Sequence, residues 1–299
     1  MRSCDFQRGP SGMNRRAFLF GSAAALSAIG LARAQDPATR AKLGRISVMT
    51  NDFDTILPEI WDRSKEVAPK ELDMMDLPDA VADRLHLHNL EVCNINLLSM
   101  EPSYIRKFKQ RLQKAKSKVV DFVVELDPPE TRYRGHISVC SPDPAIRSQA
   151  IEMTKKWIDI AAVLGSPSIM PNQGVHYLTD DLTPAIEGLK ALIDYARSKN
   201  MVVILEPRGE RLEQLVELLK GSGAYANPQT GSEEGLRLLY PLARTVQHIN
   251  VSPRSKLDIA NTIKIAKELN FKGWYSIETG GSDPWASIQE VIDALVQNL

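Results

Sequence analysis

From residue 45 onward, short apolar, β-branched runs alternate with longer stretches whose apolar residues recur three and four positions apart. The short runs predict strands at 45–50 (RISVMT), 90–97 (LEVCNINL), 119–126 (VVDFVVEL), 168–170, 201–205 (MVVIL), 224–226, 245–251 and 274–277. The longer stretches predict helices at 57–67, 79–87, 103–115, 145–164, 183–198, 210–220, 233–242, 256–269 and 285–297. The longest, 145–164, begins behind Ser141-Pro142-Asp143-Pro144 and stops at Gly165, the residue type expected just past a helix end. Strands that are apolar on both faces read as parallel strands covered by helices. Eight strand–helix repeats therefore predict one α/β domain, a single (β/α)8 TIM barrel over 45–299. A doubly wound open sheet usually carries a glycine-rich phosphate turn after its first strand, and Thr50-Asn51-Asp52-Phe53-Asp54 contains no glycine. Neither a Walker-type loop nor a G-x-S-x-G turn occurs in the chain.

The first 34 residues follow a different pattern. Asn14-Arg15-Arg16-Ala17-Phe18-Leu19 sets paired arginines before an uncharged stretch from Ala17 to Ala32, and Ala32-Arg33-Ala34 supplies a small-x-small cleavage site. This is the signature of a twin-arginine export signal, residues 1–34, removed to leave Gln35 at the new N-terminus. The stretch is too short and too rich in Ala, Gly and Ser to span a bilayer comfortably. Residues 35–44 then form a polar leader, and the expected location is periplasmic or extracellular.

Cleavage changes the charge. The whole chain holds 37 basic and 37 acidic residues. The signal takes away five Arg and one Asp, leaving 32 basic and 36 acidic side chains, a net charge of −4. Such a surface has no bulk reason to bind nucleic acid or anionic lipid. Cys93 and Cys140 are the cysteines left, and a core of this size needs no staple, so two thiols are expected. Neither nucleic acid nor, after cleavage, a membrane is an expected partner; a homo-oligomer stays open.

Barrels of this kind carry their chemistry at the C-terminal ends of the strands. Glu206 directly follows the apolar run Val202–Leu205, and Glu278 ends Tyr275-Ser276-Ile277-Glu278. Alternation places Glu206 on the face of Ile204, and Glu278 on that of Ser276. If those faces point inward, the two carboxylates meet across the mouth as an acid/base pair or as ligands of a divalent cation. Two strand-end glutamates bonded to neighbours such as Arg208 remain the alternative. Asn94, Asn96, Asn172, His176 and Asn250 are the candidates for binding substrate hydroxyls, and Tyr177 the candidate for stacking.

These segments resemble the sugar phosphate isomerase/epimerase family, whose fold is the xylose isomerase-like barrel. The resemblance rests on Leu205-Glu206-Pro207, Gly273-Trp274-Tyr275-Ser276-Ile277-Glu278, Ala161-Ala162-Val163-Leu164-Gly165 and Ser141-Pro142-Asp143-Pro144-Ala145-Ile146-Arg147. It implies a divalent metal held by Glu after strand five, Asp after strand six, His on strand seven and Glu after strand eight. Glu206 and Glu278 match, but Gln229 stands where Asp is expected. The His matches His248, or else Asn250 with His248 one layer deeper. The implied metal set is Glu206, Gln229, His248 and Glu278, with Mg or Mn favoured over Zn because hard cations accept amide oxygens. The implied activity is an exported isomerase or epimerase of a small carbohydrate or polyol. A non-catalytic sugar-binding barrel and a metal-dependent hydrolase are the rivals.

Overall fold

Eight parallel strands and the helices between them are laid out in a computed structural model, which describes residues 36–127, 137–173, 179–251, 255 and 257–299. The chain divides into two units, Met1–Ala41 and Lys42–Leu299. The predicted signal lies outside the described residues, and the predicted leader is helical over Pro37–Leu43 (α1).

The strands are β1 (Ile46–Met49), β2 (Asn89–Cys93), β3 (Lys118–Val124), β4 (Ser168–Pro171), β5 (Val202–Leu205), β6 (Tyr225–Ala226), β7 (Val246–Asn250) and β8 (Trp274–Glu278). Their order is β6-β5-β4-β3-β2-β1-β8-β7, with every pair parallel. The helices are α2 (Leu77–Leu85), α3 (Pro102–Lys114), α4 (Pro144–Leu164), α5 (Thr183–Ser198), α6 (Leu212–Ser222), α7 (Glu233–Leu239), α8 (Ile259–Glu268) and α9 (Pro284–Asn298). The architecture is a (β/α)8 barrel.

The seam between β6 and β7 is the narrow point. A two-residue β6 cannot supply a full ladder, and one bridge, Ala226 to Ala243, joins the edges. Asn227 completes the join with its side chain: its Oδ1 accepts from the His248 backbone N–H at 2.8 Å. Its own N–H donates to the Leu205 carbonyl at 2.7 Å.

Inside the barrel, Met49, Cys93, Val123, Met170, Ile204 and Val246 belong to one buried cluster. Helices cover the outside through stripes such as Leu215, Leu218 and Leu219 of α6. Asp143 caps α4 by accepting from the N–H groups of Ala145 and Ile146, and Gly165 ends it at φ 86°. Gly273 permits a close approach, because a Cβ there would sit 2.1 Å from the Thr245 carbonyl oxygen. That approach lets the Trp274 N–H reach the same carbonyl at 2.7 Å and starts the β7–β8 pairing.

One predicted element is absent. Residues 57–67 form turns, not a helix. Pro58 has no N–H to give, and the segment is bonded sideways instead. The Ile60 N–H donates to the Ile95 carbonyl at 2.7 Å. The Arg63 guanidinium reaches the carbonyls of Leu97 and Asn94 at 2.9 and 2.8 Å. The second predicted helix lies two residues earlier than expected and ends at His86, whose φ of 56° is left-handed. Cys93 and Cys140 are both free and buried. Among the described residues no helix is long and apolar enough to cross a membrane.

Candidate active site

Alternation along β5 and β8 puts Glu206 and Glu278 where the pattern predicts. Ile204, two residues before Glu206, lies in the interior cluster, so the same face carries Glu206 inward. Glu278 pairs in register with Asn250, and Ser276 with His248. His248 thus sits one layer below Asn250, with a side chain only 1% exposed.

The imidazole joins the glutamates. His248 Nδ1 lies 2.9 Å from Glu206 Oε2 and 3.7 Å from Glu278 Oε2. Its Nε2 lies 2.6 Å from Glu91 Oε1, across the barrel on β2. Gln229 donates from Nε2 to Glu278 Oε2 at 2.6 Å, and Asn250 bonds to the same carboxylate. The four residues expected to hold a metal are therefore neighbours, and Asn250 stands beside them.

Arg208 adds a fixed cation. Its Nη2 is paired with Glu206 Oε1, and lies 3.3 Å from Glu125 Oε1. Asn172 donates to the other oxygen of Glu125. Asp52, buried after β1, accepts from the Thr279 N–H at 2.8 Å and so fixes the backbone directly after Glu278.

The surroundings push the two glutamates apart. Burial alone would raise the Glu206 pKa, but Arg208 and then His248 outweigh it and hold the carboxyl below its ordinary value. At Glu278 burial raises the pKa; His248 offsets part of this, and the charge of Glu206 adds to it. Although 34% of the Glu278 side chain is exposed, the protein wall around the mouth removes enough water for burial to dominate. For His248, burial disfavours the charged ring, yet Glu91 and Glu206 together raise its pKa well above the usual value.

The remaining candidates divide. Asn94 and Asn96 are spent on the backbone and on loops. Asn94 clamps both the N–H and the carbonyl of Glu125, at 2.8 and 2.9 Å. Asn96 accepts from the Thr50 hydroxyl at 2.6 Å and donates to the Pro58 carbonyl at 3.3 Å. Asn172 and Asn250 stand at the mouth through their carboxylate partners. His176 and Tyr177 lie outside the described residues.

Sequence reading missed Glu91 and Asp121. Both are fully buried, and they pair in register on β2 and β3. A single acidic residue on the inward phase of an otherwise apolar strand was the available signal. Asp121 Oδ1 accepts from the Ser168 hydroxyl at 2.5 Å. Burial, reinforced by Glu91, raises the Asp121 pKa well above the usual range.

The donors suit a hard divalent ion. Among the described residues no three His, Cys, Asp or Glu side chains form an assembled metal group. However, the buried His248 Nδ1 has no aligned hydrogen bond despite its 2.9 Å separation from Glu206. It faces carboxylate oxygens from two strands, with the Gln229 amide next to them. Its other nitrogen is held by Glu91, the usual outer support of a metal-binding histidine.

The fold and the mouth together define a class: a (β/α)8 barrel with two glutamates gathered around one histidine at the C-terminal ends of its strands. Residues 71–227, more than half of the chain, match the xylose isomerase-like TIM barrel family, and the chain belongs to that family. Solved structures share the fold at low identity. D-Allulose 3-epimerase from Methylomonas sp. is 14% identical, covers 85% of this chain and 98% of its own, and superposes with a TM-score of 0.64. A xylose isomerase domain protein from Planctomyces limnophilus is 16% identical over 85% and 95%, with a TM-score of 0.62. A xylose isomerase-like TIM barrel protein from Mycobacterium smegmatis, in complex with magnesium, is 17% identical over 85% and 97%, with a TM-score of 0.59. No curated protein matches the chain.

Proposed function

We propose that the chain interconverts isomers or epimers of a small carbohydrate or polyol by proton transfer between Glu206 and Glu278. The observation that carries this reading is geometric: two strand-end glutamates share one buried histidine, and a fixed cation, Arg208, stands on the Glu206 side alone; the directions of their pKa shifts agree with it. A pair of carboxyls pushed in opposite directions assigns its own roles. Glu206, kept ionised by Arg208 and His248, is the base that removes a proton from the carbon next to a carbonyl. Glu278, held protonated to higher pH, is the acid that returns one. Arg208 keeps Glu206 charged, while Asn227 Nδ2, 3.3 Å from Glu206 Oε2, helps to orient it. Asn172 and Asn250, bonded to Glu125 and Glu278, would exchange those partners for substrate hydroxyls.

Glu206, Glu278, His248 and Gln229 are the residues that would hold a divalent cation. When bound, such an ion would polarise the carbonyl or hydroxyl oxygen of the substrate. With Gln229 in place of a carboxylate, the set carries one negative charge fewer, which favours Mg or Mn bound weakly over a tight zinc centre. The epimerase names among the structures of similar fold support the substrate class, and the N-terminal pattern supports export by the twin-arginine route.

The test is carbonyl–hydroxyl interconversion across a panel of ketoses, aldoses and polyols, with Glu206→Gln and Glu278→Gln beside the wild type. Each variant is expected to lose about 10²–10⁴-fold in rate, the usual contribution of a positioned acid or base. Turnover that survives in both variants would remove the assignment. A sugar-binding barrel without catalysis is favoured by one observation, the Gln229 amide already spent on Glu278. It predicts thermal stabilisation by sugars with no turnover.

A further inference from the structure

Next to the glutamate pair lies a cavity of about 980 Å³ that the proposed proton transfer does not use. Its walls come from residues 59–68, the ends of β2 and β3, and α4. That volume is at the upper end of ordinary ligand sites, about 300–1,000 Å³. Neither Glu206 nor Glu278 is among the residues that line it.

Glu125 joins the two spaces. The residue lines the cavity, and its carboxylate lies 3.3 Å from Arg208 Nη2, the atom paired with Glu206. The cavity therefore begins one side chain away from the base.

Its surface has the character of a carbohydrate site. Trp61 is half-buried, packs against the barrel's interior cluster and lines the cavity. The indole is fixed in plane by its Nε1–H, which donates to Glu59 Oε2 at 3.0 Å. An aromatic plate beside carboxylate groups suits a sugar ring, with an apolar face to stack and hydroxyls to hydrogen-bond. Trp157 is not a second plate: the Arg63 guanidinium covers its ring at 4.7 Å, pinned by two backbone carbonyls. Four carboxylates and three cations line the cavity, so the lining is nearly balanced and does not select a polyanion.

The geometry points to a saccharide of two or three rings as the substrate class, with the reacting residue at Glu206 and Glu278 and a neighbouring ring stacked on Trp61. This inference rests on the carbohydrate reading above and extends it.

Calorimetric titration of the full chain with glucose, cellobiose, cellotriose, maltose and maltotriose tests it, alongside D-allulose and D-fructose. At least one oligosaccharide is expected to bind ten or more times tighter than its monosaccharide. Trp61→Ala should cut that ratio by about tenfold, equal to about 1.4 kcal/mol, while Trp61→Phe retains most of it. Far-ultraviolet circular dichroism confirms that both variants are folded. Two outcomes overturn the subsite: no oligosaccharide binds tighter than its unit sugar, or Trp61→Ala leaves the ratio unchanged. Should monosaccharides bind while the ratio stays at one, the subsite alone fails. Should no sugar bind at all, the carbohydrate reading fails with it.

Discussion

Glu91 is the residue whose removal gives the sharpest result. It is fully buried on β2, and its Oε1 lies 2.6 Å from Nε2 of an equally buried His248. Glu91→Leu leaves that nitrogen without a partner in the barrel interior, and breaking one side of a buried pair costs about 3–5 kcal/mol. At about 2 °C per kcal/mol for a chain of this size, the melting midpoint should fall by about 6–10 °C. Glu91→Gln keeps an acceptor in place and loses only the charge assistance, a cost of about 1–2 kcal/mol. In Glu91→Leu/His248→Phe the loss should partly recover, because neither member is left stranded. The pH dependence has a definite sign. Glu91 and Glu206 raise the His248 pKa above its unfolded value of about 6.5. The stabilisation is therefore fully present below about pH 6.5 and fades as pH rises through the folded-state pKa. Calorimetric unfolding of chelator-treated wild type and Glu91→Gln should show a stability gap that narrows with rising pH. A gap that stays constant from about pH 5 to about pH 10, or a Glu91→Leu variant as stable as wild type, would refute the role assigned to the pair.

Three other expectations follow from the same geometry. In Arg208→Gln, Glu206 loses the cation that most lowers its pKa, so the acidic limb of the kcat/KM–pH profile should move to higher pH; an unmoved limb removes Arg208 from that role. Chelator-treated protein titrated with Mn²⁺ to a hundredfold over Kd should gain about 2.7 kcal/mol of stability, and Glu278→Gln should lose most of that gain; a midpoint indifferent to Mn²⁺ and Mg²⁺ alike excludes the ion from this set. Asn227→Ala should cost about 1–3 kcal/mol by leaving the buried His248 N–H unpaired, read by chemical denaturation, and a neutral result would show that the Ala226–Ala243 bridge closes the seam unaided.

The barrel was legible because its strands are apolar on both faces and its helices are not. Seven strands fall within a few residues of their predicted limits, and even the two-residue β6 lies inside the predicted 224–226. The segment 57–67 misled because Ile60, Trp61 and Val67 imitate a helical stripe; the carbonyls of Ile95, Leu97 and Asn94 that hold it come from another part of the chain. At the mouth, strand phase grouped Glu206 with Ile204 and Glu278 with Ser276, and the inward direction of those faces came from the structure. Phase could not show that His248 would face both, since that depends on how far β7 is shifted against β5. Asn94 and Asn96 follow an apolar strand just as Glu206 does, yet they serve the backbone of neighbouring loops. Sequence spacing does not distinguish an amide aimed at a ligand from one that replaces a missing backbone partner.

Asn227 is where construction and chemistry become the same event. The oxygen of its amide holds the His248 backbone across the thinnest seam of the wall, and the nitrogen of that amide reaches the Glu206 carboxylate. A cylinder left open at that seam loses one tether on the His248 backbone and one on the Glu206 carboxylate. Sealing the hoop and setting two members of the proposed site are therefore one step: the same side chain does both.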